Sequence, residues 1–143
     1  MLERRDLSRR ELVKRLVEKD ETPEAAEAAA ARMEELGFID DARYAPRVAQ
    51  YGARKGWGRR RIEAELLHRG IDRALCAEAL ETLPPPDDAL DRLLCQRLRG
   101  AEISDRAALK KATDALQRRG FSWGDIEAAV RRYKEAESEV GGD

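Results

Sequence analysis

The sequence predicts an all-α chain, an elongated tandem array of three short helical repeats with about eight helices. Three observations predict it. Ala, Leu, Glu and Arg dominate the 143 residues, and these are strong helix formers. Aromatics are only 5% and charged residues 40%, which suits thin modules burying modest seams better than one large core. Finally, a shift of 50 residues superposes the chain on itself. Leu12 falls on Ile62 and Ala112, Leu16 on Leu66 and Leu116, Ala26 on Cys76 and Ile126, Gly70 on Gly120, and Ile71 on Phe121. A fixed period of this length marks a repeat architecture, in which each unit buries core mainly within itself and against its neighbours.

Each element has its own start and stop. Ser8 with Glu11 reads as a capping box, followed by the apolar stripe Leu12, Val13, Leu16 and Val17. Thr22-Pro23 is an N-cap followed by a proline that has no N–H to waste. The helix it opens runs to about Leu36, with Gly37 as its stop. Asp40 or Asp41 opens a third helix carrying Tyr44, Val48 and Tyr51 and ending near Arg54, with Pro46 expected to delay or kink its start. The second copy begins at Gly58, turns Ile62, Leu66 and Leu67 inward, and stops at Gly70. Asp72 caps the next helix, through Leu83. Pro84-Pro85-Pro86 breaks the chain, and Asp87-Asp88 opens a helix with Leu90, Leu93, Leu94 and Leu98, closed by Gly100. The third copy runs from Ser104 to Gly120 and restarts at Ser122, where Asp125 completes a capping box. No glycine stands in copy one at the place of Gly70. The expected boundaries are 1–56, 57–100 and 101–138 for the three repeats, the last with two helices, and 139–143 for a frayed acidic tail.

Several function classes are disfavoured. Cys76 and Cys95 lie apart with no CxxC, and His68 is the single histidine, so zinc-site spacing is missing. Both cysteines are expected to be reduced thiols of the core. The pattern holds no GxxxxGK[ST], no HExxH and no Ser/His/Asp or Cys/His set with a plausible base. No catalytic residue, cofactor, metal or small-molecule substrate is therefore expected. MLERRDL is charged from its third residue and no apolar run is long enough to span a bilayer, so a cytoplasmic protein without membrane contact is expected, and a monomer.

Charge is distributed in stripes. The formal net charge is −1, so bulk attraction to nucleic acid is not indicated. Yet Ala42 to Ile62 contains no acid and seven cations: Arg43, Arg47, Arg54, Lys55, Arg59, Arg60 and Arg61. From Glu63 to Asp91 eight acids face Arg69 and Arg73. The bland reading of the basic run is a solvated helix face, with Arg54 and Lys55 complementing a helix C-terminus. That reading does not suit Arg59 to Arg61, which open a helix at the positive end of its dipole. A surface for phosphates or for an acidic protein is the alternative. Trp57, between Gly56 and Gly58, reads either as a packing plug or as an interface anchor. Trp123 is expected in the core or as a cap over its own repeat, and the spacing of Tyr44 and Tyr51 is that of core positions.

GFIDDARYA (Gly37 to Ala45) followed by RKGWGRRRIEAELLHRGI (Arg54 to Ile71) strongly resembles RecX, the bacterial family that regulates the RecA recombinase. LERRDLSRRELVKRL resembles that family's N-terminal helix and RRGFSWGDIEAAV its last repeat, so the likeness runs from about Leu2 to Tyr133. Pro46 departs from the family pattern. The resemblance implies tandem three-helix units and a non-catalytic, mostly negative modulator of RecA. Such a protein lies in the groove of the RecA–single-stranded DNA filament, inhibits strand exchange and ATP hydrolysis or promotes disassembly, and so acts in homologous recombination, DNA repair and the SOS response. Expected contacts are Arg43, Arg47, Arg54, Lys55, Trp57, Arg59, Arg60 and Arg61, with Arg9, Arg10, Lys110, Lys111, Arg118 and Arg119 as secondary basic contacts. The rival reading is a stand-alone, non-specific DNA-binding helical-repeat protein. A sequence-specific reader is disfavoured, because RALCAEALETL (residues 73–83) offers almost no donors to base edges.

Overall fold

A computed structural model describes residues 7–99, 101 and 104–141. Among them are eight helices and no strand: α1 (Arg9–Glu18), α2 (Pro23–Glu35), α3 (Asp41–Arg54), α4 (Arg59–His68), α5 (Arg73–Glu81), α6 (Asp87–Arg97), α7 (Arg106–Arg118) and α8 (Trp123–Gly141). None is long and apolar enough to cross a membrane.

The period seen in the sequence is set by where helices start. α1 and α4 begin at residues 9 and 59, and α2, α5 and α8 at 23, 73 and 123. Side-chain caps fix four of these five starts, all but that of α4, by occupying otherwise unpaired N–H groups. Ser8 and Glu11 form the reciprocal box, Thr22 accepts from the Ala25 N–H, Asp72 from Leu75, and Ser122 from Asp125. α7 is capped by Asp105, which accepts from the Ala108 N–H, and not by Ser104. The expected stop at Gly100 lies outside the described residues.

Helix ends follow the same period. Gly70 and Gly120 have φ of 84° and 100°, and Asp20, fifty residues before Gly70, has φ of 73°. The missing glycine of copy one is thus replaced by an aspartate in the same left-handed conformation, which Asp adopts more readily than most side chains. In each case the next amide reaches back to the helix: Glu21 to the Leu16 carbonyl, Ile71 to Leu66, Phe121 to Leu116. This is the Schellman pattern. Pro46 neither delays nor breaks α3, which starts five residues before it. The proline ring removes the N–H that would reach the Ala42 carbonyl, and Ala42 is exposed, so the loss falls in a turn open to solvent, where an unpaired carbonyl costs little. α8 continues to Gly141, so the acidic segment expected to fray is helical to that point.

The chain divides into two compact units, with the boundary inside α3 and α4. The first comprises Met1–Tyr51 and Glu63–Leu83. It buries Ala26, Ala30, Ile39, Val48, Leu66, Ile71 and Cys76. Tyr44 is buried with them, and its hydroxyl accepts from Arg69 Nη1 at 2.8 Å and donates to Glu11 Oε1 at 3.2 Å. Arg69 Nε also holds Glu65 at 2.7 Å. Burial pushes the Tyr44 hydroxyl above its ordinary pKa. It pushes the Asp41 carboxyl up as well, against the Arg9 N–H it accepts at 2.9 Å.

The second unit comprises Gly52–Ile62 and Pro84–Asp143. Its core is Leu90, Leu94 and Leu98 of the α6 segment against Ala112, Leu116, Phe121, Ile126 and Ala129. Full burial of each large side chain contributes about 1.5–3 kcal/mol. Arg132 of α8 grips Asp91 of α6 through Nε and Nη2, at 3.0 and 2.8 Å.

Three expectations about burial change. Tyr51 is 43% exposed where a core position was expected, and Trp123 is 47% exposed where a place in the core, or as a cap over its own repeat, was expected. Cys95 is exposed while Cys76 is buried, and both are free thiols. Helical spacing identifies a face, but not whether another element covers it.

Candidate functional site

The basic run is organised by its glycines. Gly56 (φ 84°) ends α3, and the Trp57 N–H returns to the Gly52 carbonyl at 3.0 Å. Gly52 is the seat of the indole: a Cβ there would lie 2.7 Å from Trp57 Cε3 and 2.8 Å from Ile62 Cγ1. The Arg61 guanidinium lies over the indole, 4.3 Å from the ring centroid, within cation–π range. Trp57 is therefore a half-buried plug with a cation on its face.

Gly58 is buried because the end of α7 rests on it. Its N–H donates to the Arg119 carbonyl at 2.8 Å, and the Arg60 N–H to the Gly120 carbonyl at 3.1 Å. The C-terminal carbonyls of α7 thus cap the N-terminus of α4, negative end to positive end. The cost expected for Arg59–Arg61 at a helix start is in this way offset inside the chain. The same junction occurs in the first unit, where the Ser8 hydroxyl donates to the Arg69 carbonyl. Ser8 and Gly58 are one period apart, as are Arg69 and Arg119, so both junctions close loops of 61 residues.

The expected contact residues fall into distinct groups. Arg59, Arg60 and Arg61 are all exposed along the first turn of α4, and Arg54 and Lys55 are exposed at the end of α3. The α4–α7 junction brings residues 118–119 to this run. Arg118 is exposed; Arg119 is half-buried and sends Nη1 toward the Lys55 carbonyl at 3.4 Å. In the first unit, Arg43 and Arg47 are exposed one turn apart on α3 and line a cleft of about 170 Å³ with Phe38 and Tyr44. Arg10 is exposed. Arg9 is committed to structure, bridging to Glu27 at 2.9 Å and Glu34 at 3.7 Å. Lys110 pairs with Asp114 at 2.8 Å, and Lys111 is exposed. Sequence reasoning missed the exposed Leu36 and Phe38, at 53% and 62%. It also missed the groove beside Trp123. Among the described residues no cluster of three or more His, Cys, Asp or Glu side chains is arranged to hold a metal ion.

Comparison with known proteins gives a consistent result. Residues 40–80 match the model of the RecX second three-helix domain, and residues 86–130 that of the RecX third three-helix domain. These spans group α3–α5 and α6–α8, a frame one helix earlier than the grouping expected from the sequence. The chain is 36% identical over 133 residues to the regulatory protein RecX of Stenotrophomonas maltophilia, covering 92% of this chain and 81% of that one. It is 36% identical over 132 residues to the regulatory protein RecX of Xanthomonas axonopodis pv. citri, covering 92% and 82%. The crystal structure of a regulatory protein RecX shares its fold with a TM-score of 0.78 at 22% identity, covering 92% of this chain and 66% of that chain. That of RecX from Lactobacillus salivarius does so with a TM-score of 0.76 at 22% identity, covering 92% and 88%.

Proposed function

This chain belongs to the RecX family of regulatory proteins, and we propose that it is a non-catalytic, mostly negative modulator of RecA. In this reading it works in the cytoplasm, binding along the groove of the RecA–single-stranded DNA filament. There it inhibits strand exchange and ATP hydrolysis or promotes disassembly. The observation that carries the reading is the first turn of α4. Three consecutive exposed arginines stand there beside a half-buried tryptophan seated on Gly52 and flanked by Gly56 and Gly58. Three adjacent cations at the solvent suit the regularly spaced phosphates of a filament, and Arg61 is already held over the indole, 4.3 Å from its centroid, which reduces the side-chain ordering that docking costs. Binding that favours one filament state over another shifts the polymerisation equilibrium.

The test is a titration of RecA ATPase on single-stranded DNA with wild type and Arg59→Ala/Arg60→Ala/Arg61→Ala in parallel. All three side chains are exposed, so the fold is expected to persist. The cation–π contact of Arg61 with Trp57 is lost as well. The variant is expected to need at least tenfold more protein for the same inhibition. Inhibition at wild-type concentration would remove the run from the contact surface. The rival reading, a stand-alone DNA binder, predicts instead that affinity for bare single strands falls with salt at a log–log slope of about −3 for roughly four phosphate contacts.

A further inference from the structure

The groove between α7 and α8 is an apolar surface that the basic run does not use. We propose that it receives an amphipathic helix with acidic flanks on the RecA protomer; this rests on the proposed function and locates the protein-facing part of the contact.

The groove has a volume of about 480 Å³ and is walled by Leu109, Trp123 and Val130, with Glu127, Arg131 and Lys134 at its rim. The repeat supplies its own control. Two periods earlier, Leu109, Glu127 and Lys134 correspond to Arg9, Glu27 and Glu34. There the arginine of α1 reaches both glutamates of α2, at 2.9 and 3.7 Å, and straps the two helices together. In the third copy the glutamate at 127 remains, but leucine stands for the arginine and lysine for the second glutamate. Both ion pairs are gone. Trp123 is left 47% exposed at the first position of α8, so a large part of the indole faces solvent.

The chemistry of the walls points to the occupant. A cleft between two helices with apolar walls accepts the apolar face of a third helix, and tryptophan and arginine are the favoured anchors of such contacts. Arg131 and Lys134 enter no ion pair among the described residues and outnumber Glu127, so the rim complements acidic flanks. A nucleic acid strand fits less well. It favours successive aromatic platforms in a uniformly basic channel, and this groove offers one aromatic and an acid.

The decisive variant rebuilds the strap of the first copy. In Leu109→Arg/Lys134→Glu the introduced guanidinium finds Glu127 and the introduced carboxylate, as Arg9 finds its two partners. Trp123→Ser is the second variant, removing the exposed anchor and retaining a residue tolerated in a first helical turn. Binding of labelled chain is measured to RecA filaments assembled on oligo(dT) with a non-hydrolysable ATP analogue, and separately to bare oligo(dT). Thermal midpoint and sedimentation are recorded for each variant.

We expect both variants to lose at least tenfold in filament affinity, with oligo(dT) affinity, thermal midpoint and sedimentation as in wild type. Unchanged filament affinity overturns the inference and leaves the proposed function standing. A parallel loss of oligo(dT) binding assigns the groove to the strand and overturns it. So does a change in sedimentation, which makes the occupant a second copy. A large fall in thermal midpoint for Trp123→Ser makes the indole structural and also overturns it. Wild type that fails to bind the filament overturns the proposed function together with the inference.

Discussion

Gly58→Ala tests the idea that the α4–α7 junction holds the second unit together. A Cβ on Gly58 would sit well inside 3.0 Å of the Gly120 carbonyl group and the Phe121 nitrogen. All of these are backbone atoms, so no side chain can rotate away, and the strands of chain must part. Overpacking of this kind costs about 1–3 kcal/mol. Parting also loosens the Gly58–Arg119 and Arg60–Gly120 hydrogen bonds, at 2.8 and 3.1 Å, each contributing about 1 kcal/mol. The lower chain entropy of alanine in the unfolded state returns about 0.4–1 kcal/mol. The net loss is about 3 kcal/mol, or about 10 °C in thermal midpoint for a chain of this size. The control is Gly124→Ala in the first turn of α8. No neighbour lies within 4 Å of a Cβ there, so better helix propensity should stabilise by about 0.5 kcal/mol. Circular-dichroism melts of both variants, with hydrogen exchange at the amides of residues 58 and 60, provide the assay. If Gly58→Ala melts with wild type and those amides stay protected, the junction carries no stability and the capping argument is wrong.

Two further predictions concern the first unit. Asp20→Gly relieves a left-handed side chain, which costs about 1–2 kcal/mol, and gives back most of that as unfolded-state entropy. A gain of about 0.5 kcal/mol in urea denaturation is expected, and a loss would mean the Asp20 side chain makes a compensating contact. Asp41→Asn keeps an oxygen for the Arg9 N–H and removes a carboxylate that burial disfavours. Because the folded pKa of Asp41 is raised, ionisation penalises the native state above that pKa and the penalty vanishes as pH falls below the ordinary carboxylate value. The variant should therefore melt above wild type at pH 7 and with it near pH 3. A constant offset at both pH values would show that the charge is not the cause.

Local signals were readable in the sequence wherever a single residue type solves a local problem. Ser8, Thr22, Asp72 and Ser122 cap helices because each places an oxygen on an open amide, and all four helix starts were legible. Gly70 and Gly120 were legible stops because only a small side chain turns left-handed without cost. Asp20 was not, since aspartate signals a cap as readily as a stop, and only the period of 50 points to its conformation. What spacing does not carry is the presence of a neighbour. Tyr44 and Tyr51 have equal claims to a core on periodicity, yet Tyr44 is 7% exposed and Tyr51 43%. Trp123 and Cys95 have apolar surroundings in sequence and an exposed side chain in the fold.

The basic run shows why charge alone was an incomplete guide. From sequence alone, arginines at the positive end of a helix dipole are unfavourable unless a partner supplies negative charge. The α7 carbonyls supply the compensating dipole, so Arg59–Arg61 need no partner in order to fold. Their exposure is then available for binding at no cost to stability. The three copies treat this register differently. At residue 8 the amide is held by Glu11, and the adjoining hydroxyl reaches Arg69. At residue 58 the amide is held by the carbonyl of the following copy, and at residue 108 by the Asp105 side chain. Only the middle copy leaves its cap entirely to backbone, and only there does the first turn carry three arginines in a row. A carboxylate cap at that turn, of the kind Glu11 and Asp105 provide in the outer copies, would neutralise part of their charge. Borrowing a neutral carbonyl cap keeps the turn strongly cationic, and it does so by requiring glycine at position 58.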